Sequence, residues 1–212
     1  MGSPQCGNLN SNGMIDLDTL DQLLTLQING IHSRIADQLW YFMSDKTVWI
    51  PLYVILVIFL FWRLGWKRAL IVLCAVGLTF AACDMTSTTV KNFVERLRPC
   101  YNAEMVSGGL RMLEGRGGKF GFFSAHAANA FGCFVCLYIG LRADKRLKYR
   151  LFFVLGLLWA MGVAVSRVFV GKHYLGDVVV GILVGTVLSL VFASIARLIM
   201  TRFPDIRAEE PA

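Results

Sequence analysis

The chain has 212 residues, 56% of them hydrophobic and only 17% charged, more apolar surface than a soluble domain of this length can bury, so the composition places it in a membrane. Its 21 Lys and Arg outnumber 14 Asp and Glu to give a net charge of +7. The basic residues crowd into short connectors between apolar runs, so the excess reports membrane topology and excludes nucleic acid as the partner.

Residues 1–46 are polar and carry several Asp, without the charged and then apolar stretches of a cleavable signal peptide. Within them Leu20, Leu23, Leu24, Ile28, Ile31, Ile35 and Leu39 recur at helical spacing. That pattern predicts an amphipathic helix lying at the membrane interface, with packing against a bundle as the alternative. His32 is expected to be an ordinary surface residue. Five spans follow, over residues 47–62, 69–90, 120–141, 151–166 and 178–196, each close to the length that crosses a bilayer. Pro51 falls in the first turn of the first span, where proline is tolerated. Trp40, Tyr41, Trp49, Trp62 and Trp66 mark that span's two ends. The expected fold is therefore all-α, an integral-membrane bundle of about five transmembrane helices plus an N-terminal interfacial helix. Its parts are a polar segment (1–46), the transmembrane domain (47–200) and a polar tail (201–212).

Arg63, Lys67 and Arg68 lie between spans one and two, and Arg142, Lys145, Arg146, Lys148 and Arg150 between three and four. Such dense basic connectors belong in the cytoplasm, which puts the amino terminus outside and the carboxyl terminus, with Arg197, Arg202 and Arg207, inside. The expected location is the cell's inner membrane. Cys74, Cys83, Cys133 and Cys136 lie inside apolar runs and read as small buried hydrophobes; the C-x-x-C they include has no second pair to complete a zinc site. Cys6 and Cys100 fall on the same, outer side.

In this topology every unusual polar residue meets at the outer face. Lys91 and Arg98 lie seven residues apart, about two helical turns, at the end of span two. Ser124 and His126 open span three, and Arg167, His173 and Asp177 link spans four and five. Ionisable groups gathered at one depth of a membrane need a counter-charge, and a phosphate supplies it. Guanidinium groups fork onto phosphate oxygens, while the Ser124 hydroxyl and nearby backbone amides add donors. Lys91, Arg98 and Arg167 form the expected cage, which would also offset charge on a phosphoryl transition state. Two histidines can divide the roles of nucleophile and proton donor. On sequence alone those roles are exchangeable, but only His173 has a carboxylate, Asp177, four residues on, where a helix brings the two onto one face. Asp177 would fix the tautomer of His173, and His126 would be the general acid. Asp84, seven residues before Lys91, either orients that lysine or makes a contact between helices. The glycine-rich loop over residues 100–119 reads either as a lid for an anionic head group or as a solvated connector.

Together K-x6-R-P at 91–99, S-x-H at 124–126 and S-R-x5-H-x3-D at 166–177 resemble the type 2 phosphatidic acid phosphatase (PAP2) superfamily, over roughly residues 47–200. The resemblance implies a metal-independent reaction through a phosphohistidine, with no cofactor. It also implies His173 as nucleophile, Asp177 as its orienter, His126 as acid, and phosphate binding by Lys91, Arg98, Ser124, the Ala125 amide and Arg167. The family usually reads Pro-Ser-Gly-His in the middle motif, where this chain has Phe123 and Ala125; alanine keeps the backbone N–H and adds a methyl. The expected substrate is a membrane lipid phosphate or diphosphate and the expected surroundings a bilayer, with no obligate protein partner evident. Lipid A is the leading candidate, with undecaprenyl diphosphate and phosphatidylglycerol phosphate as alternatives. A lipid phosphotransferase and a non-catalytic anionic-lipid carrier are the rival classes. A metal phosphatase is the weakest, since two histidines and one carboxylate among three cations make a poor divalent site.

Overall fold

The computed structural model describes residues 16–203, so Cys6, Arg207 and the outer parts of the two terminal segments lie outside the described residues. The helices are α1 (Leu17–Gly30), α2 (Arg34–Ser44), α3 (Ile50–Val94), α4 (Ala103–Ser107), α5 (Ala125–Leu141), α6 (Arg150–Phe169) and α7 (Leu175–Met200), with a 3-10 turn at Pro99–Tyr101. Helices α3, α6 and α7 are long and apolar enough to cross a membrane, and α5 is a shorter apolar helix of 17 residues.

Two of the expected spans are joined in α3. Gly65 interrupts it at φ 72 and ψ 166, a conformation that only glycine adopts readily. The limbs over residues 50–64 and 66–94 fold back on each other, because Leu52 and Leu56 of the first and Phe80 and Asp84 of the second line one cavity. The reversal brings Arg63 to the opposite end of the bundle from the three motifs. There Arg63 Nε donates to Asp144 Oδ2 at 3.0 Å, Tyr149 Oη donates to the same oxygen at 2.7 Å, and Arg146 Nε donates to Asp144 Oδ1 at 2.9 Å. Burial alone would raise the Asp144 carboxyl; the hydrogen bonds from Arg146, Tyr149 and Arg63 win and hold it down at about 2. Leu60, Leu64, Val72, Leu141 and Met200 form the apolar cluster at this end.

Helices α5 and α7 make the closest packing in the bundle. Gly181 and Gly185, one turn apart on α7, let its backbone approach α5 as small residues do in membrane helices. A Cβ on Gly181 would come within 2.5 Å of the Ser124 carbonyl oxygen, and one on Gly185 within 2.7 Å of the Ala128 carbonyl carbon. This contact sets the spacing between the N-terminal ends of α5 and α7.

The amphipathic segment is two helices and not one: Ser33 ends the extended link after α1 and caps α2, its hydroxyl accepting from the Ala36 amide at 3.1 Å. The orientation of α1 reverses the usual arrangement of a docked amphipathic helix. Thr25 and Asn29 are its buried residues, while Leu17, Leu20, Leu23 and Leu24 are exposed. Asn29 Nδ2 donates to the carbonyls of Arg111, Val168 and Phe169 at 3.0–3.1 Å, and its Oδ1 accepts from the Arg111 amide at 2.7 Å. Of the two expectations for the segment, α1 meets the packed one: it docks on α6 and α7 through Thr25, Asn29 and the partly buried Leu26 and Ile28, leaving its other leucines exposed. His32 is exposed in the link.

Candidate active site

Each motif is held by a different end of secondary structure. Lys91 stands in the last turn of α3, which stops at Glu95 in a left-handed conformation. Arg98 follows in a strand-like stretch, its amide donating to the Lys119 carbonyl at 3.0 Å and its Nε to the Phe120 carbonyl at 3.1 Å. Ser124 is the N-cap of α5 and fully buried, with its hydroxyl oxygen accepting from the Ala127 amide at 3.4 Å. The first amides of α5, including those of Ala125 and His126, are the unpaired donors that make a helix N-terminus an anion site. Arg167 lies in the last turn of α6, and His173 in the turn before α7.

The Ser124 amide donates to the Asp177 carbonyl at 3.0 Å, so the second and third motifs are in direct contact. His173 Nδ1 lies 3.3 Å from Asp177 Oδ2, which also accepts from the Tyr174 amide at 3.2 Å. With Nδ1–H donating to the carboxylate, Nε2 carries the free lone pair. His173 is 2% exposed and Asp177 0%. Burial pulls the imidazole of His173 down to about 4; the Asp177 hydrogen bond and charge oppose that, and the cations Arg167 and Arg98 reinforce it. The ring is therefore neutral at pH 7, the form that can act as a nucleophile.

Around this pair the cations gather. Arg98 and Arg167 act electrostatically on His173, and Lys91, Arg167 and His173 all act on His126. Arg167 is 4% exposed, and its Nε is a buried donor with no partner among the described residues. All the residues that the sequence nominates are thus brought to one end of the bundle. Among the described residues no group of three or more His, Cys, Asp or Glu is arranged to hold a metal ion.

Four further residues belong to this cluster and escape sequence reasoning. Glu114, from the loop after α4, accepts from Arg167 Nη1 at 3.3 and 3.4 Å and lies 4.0 Å from Lys172 Nζ. Ser44, at the end of α2, bonds both Arg167 and Glu114. Lys172 donates to the Gly115 carbonyl, and a Cβ on Gly117 would stand 3.3 Å from both Lys172 Nζ and Arg98 Nη1. Burial holds Lys172 below a lysine's ordinary value against the raising effect of Glu114. Arg96 Nη1 donates to Asp177 Oδ1 at 2.8 Å. The glycine-rich loop is accordingly a folded cover, tied to α2 by Arg111 to Asp37 and to the site by Glu114. Only Lys172, inside the third motif, carried a visible signal. Asp84 makes a contact between helices, its Oδ1 accepting from Asn129 Nδ2 of α5 at 2.8 Å, and its charge also reaches Lys91.

Beneath His126 a cavity of about 570 Å³ runs between the limbs of α3, α5 and α6. Its walls are largely apolar, with Trp49, Leu56, Phe80, Leu137 and Trp159 among them, and His126, Asn129, Asp84 and Lys46 are among its polar lining.

The model of the PAP2 superfamily matches residues 68–200. The chain belongs to the PAP2 superfamily. This PAP2 protein is 36% identical over 177 residues to the Lipid A 4'-phosphatase of Bacteroides thetaiotaomicron, covering 80% of this chain and 73% of the relative. It is 30% identical over 171 residues to the Lipid A 4'-phosphatase of Porphyromonas gingivalis, covering 79% and 69%. Two solved structures share its fold. One is a transmembrane PAP2 type phosphatidylglycerolphosphate phosphatase from Bacillus subtilis, with a TM-score of 0.64, 19% identity and coverage of 90% of this chain and 89% of that one. The other is LpxE of Aquifex aeolicus, with a TM-score of 0.62, 21% identity and coverage of 82% and 95%. The chain is a multi-pass membrane phosphatase acting on phosphate monoesters.

Proposed function

We propose that this PAP2 enzyme removes a phosphate from lipid A at the outer face of the inner membrane, through a phosphohistidine on His173. The observation that carries the reaction is the buried His173–Asp177 pair, with its imidazole neutral and the charges of Arg98 and Arg167 bearing on it. In the first step Nε2 of His173 attacks phosphorus, an N–P bond forms and the P–O ester bond breaks. The electron pair stays on the departing sugar oxygen, which takes a proton from His126, held as an imidazolium while the anionic phosphate is bound. In the second step His126 accepts a proton from water, the water oxygen bonds phosphorus, and the N–P pair returns to Nε2 as inorganic phosphate leaves. Asp177 holds the Nδ1–H tautomer and offsets the positive charge on the ring between the two steps, as the carboxylate does in a serine protease triad. Lys91, Arg98, Arg167, the Ser124 hydroxyl and the Ala125 amide bind the phosphoryl oxygens, and the orphan donor on Arg167 Nε is supplied with a partner when they do.

The choice of a lipid rests on the cavity below His126, whose apolar walls, set between helices long and apolar enough to cross a membrane, suit an acyl chain while the head group stays at the cage. The choice of lipid A rests on the two relatives of that specificity. Dense basic connectors at the opposite end favour an active site on the extracytoplasmic side. The test is phosphate release by purified wild type and His173→Ala over lipid A, undecaprenyl diphosphate and phosphatidylglycerol phosphate. Release from lipid A by wild type, lost in the variant, is expected. Release confined to either of the other two lipids would overturn the substrate, and full activity in the variant would overturn the mechanism.

A further inference from the structure

Outside the residues matched by the family model, α1 reaches the proposed catalytic pair through one side chain. Arg96 Nη1 donates to Asp177 Oδ1 at 2.8 Å, and its Nη2 lies 2.7 Å from Asp18 Oδ1 and 2.8 Å from Asp21 Oδ2, both on α1. The guanidinium lies 4.0 Å from the centre of the Tyr174 ring. Helix α1 also clamps the first turn of α7, which carries Asp177: Thr25 Oγ1 accepts from the Leu175 amide at 3.0 Å and Asp21 Oδ1 from the Gly176 amide at 2.8 Å.

We propose that Arg96 is a positioning residue that keeps Asp177 ionised and aimed at His173, and that Asp18 and Asp21 of α1 tune how much of the Arg96 charge Asp177 feels. The proposal rests on the reading of His173 as nucleophile. A fully buried carboxylate without a cation takes up a proton, and a protonated Asp177 would neither hold the Nδ1–H tautomer nor stabilise a charged ring. Arg96 prevents this through Oδ1, leaving Oδ2 for His173 and Tyr174. A guanidinium given wholly to Asp177 would, however, cancel the negative charge that His173 needs. Sharing it among three carboxylates leaves the cluster net negative while its fork geometry fixes Asp177 in place.

The charged and titratable groups facing the pair define what a pH profile would read. Arg96 and Arg98 approach from the loop after α3, Lys91 from α3, Arg167 from α6 and His126 from α5. Tyr174 belongs to the turn, and Asp18 and Asp21 lie behind Arg96 on α1. Removing a cation beside the pair makes protonation of His173 easier, and removing a carboxylate makes it harder. A merely structural Arg96 would lower the rate without moving the profile.

The experiment measures kcat, KM and the acidic limb of the pH profile for phosphate release from the substrate that wild type hydrolyses. The panel is wild type, Arg96→Gln, Arg96→Lys, the double variant Asp18→Asn with Asp21→Asn, and His173→Ala, all in detergent. Arg96→Gln is expected to lose about 10–100-fold in kcat, as supporting residues behind a reacting group do, with KM nearly unchanged and the acidic limb moved to higher pH. The double variant keeps a side-chain amide oxygen at position 21 that can still accept from Gly176, and it is expected to move the limb the opposite way, to lower pH. Arg96→Lys is expected to keep the limb near wild type and part of the rate. A limb that stays put in both Arg96→Gln and the double variant overturns the proposal, as does full kcat in Arg96→Gln. If Arg96→Gln does not fold, a limb unmoved in the double variant overturns it alone. Activity retained by His173→Ala is the separate result that would remove the underlying reading.

Discussion

Replacing Gly185 by alanine tests how the fold sets the distance between the two halves of the site. The added Cβ would stand 2.7 Å from the carbonyl carbon of Ala128 and 2.8 Å from its Cα, in the backbone of α5. Relieving such contacts to an ordinary van der Waals distance of about 3.5 Å requires α5 and α7 to separate by roughly 0.8 Å or more. Neither backbone can turn aside as a flexible side chain would. Overpacking of this kind costs about 1–3 kcal/mol. The separation also stretches the Ser124–Asp177 contact, now 3.0 Å, which joins the proposed phosphate loop to the proposed nucleophile's partner. Displacement of reacting groups by about 1 Å can cost on the order of 100-fold in rate. Gly185→Ala should therefore lower the midpoint of thermal unfolding in detergent and reduce kcat by about 10–100-fold in a phosphate-release assay. A variant with an unchanged midpoint and unchanged kcat would refute the claim that backbone contact between α5 and α7 sets the site.

Three further outcomes are expected. Glu114→Gln removes the carboxylate that occupies Arg167 and Lys172, so KM should fall about five-fold, the equivalent of about 1 kcal/mol, and a rise in KM would mean that Glu114 stays to hold Arg167 during turnover. His173 is neutral above about pH 4, so its contribution to the acidic limb of kcat/KM should fall near 4; Asp177→Asn, which removes the groups that raise it, should lower kcat and move that limb down and not up. Asp144→Asn leaves the Arg63 guanidinium, 13% exposed, without its charged partner and should destabilise the fold by about 3–5 kcal/mol. Because the Asp144 carboxyl is held at about 2, below its unfolded value of about 3.9, its stabilisation is present above about pH 4 and lost as pH falls through about 2. Denaturant melts across that range check both statements, and a wild-type melt insensitive to pH over it would contradict the second.

Much of the bundle was legible in the sequence because hydrocarbon leaves so little choice: a run of apolar residues flanked by cations can do little but cross. The reversal at Gly65 was readable only as a basic connector, since its left-handed torsion depends on one residue within an unbroken helical pattern. The three motifs were readable because their chemistry is local, the His173–Asp177 spacing most of all. Arg96 was not, because α3 ends at Val94 and helical periodicity no longer applies beyond it, while its partners Asp18 and Asp21 are more than seventy residues away. Glu114 was hidden for a related reason: a carboxylate in a glycine-rich loop looks solvated until the loop is seen folded over Arg167. The docked face of α1 was obscured by its leucines, most of which are exposed, whereas Thr25 and Asn29 make its hydrogen-bonded docking contacts.

The most direct test of the account is to trap the intermediate. Wild-type enzyme mixed with its lipid substrate and quenched in alkali, where a phosphoramidate survives, should carry a phosphoryl group on the peptide that contains His173, and His173→Ala should carry none. A phosphoryl group found on His126, or turnover with no covalent phosphoprotein at any time, would contradict it.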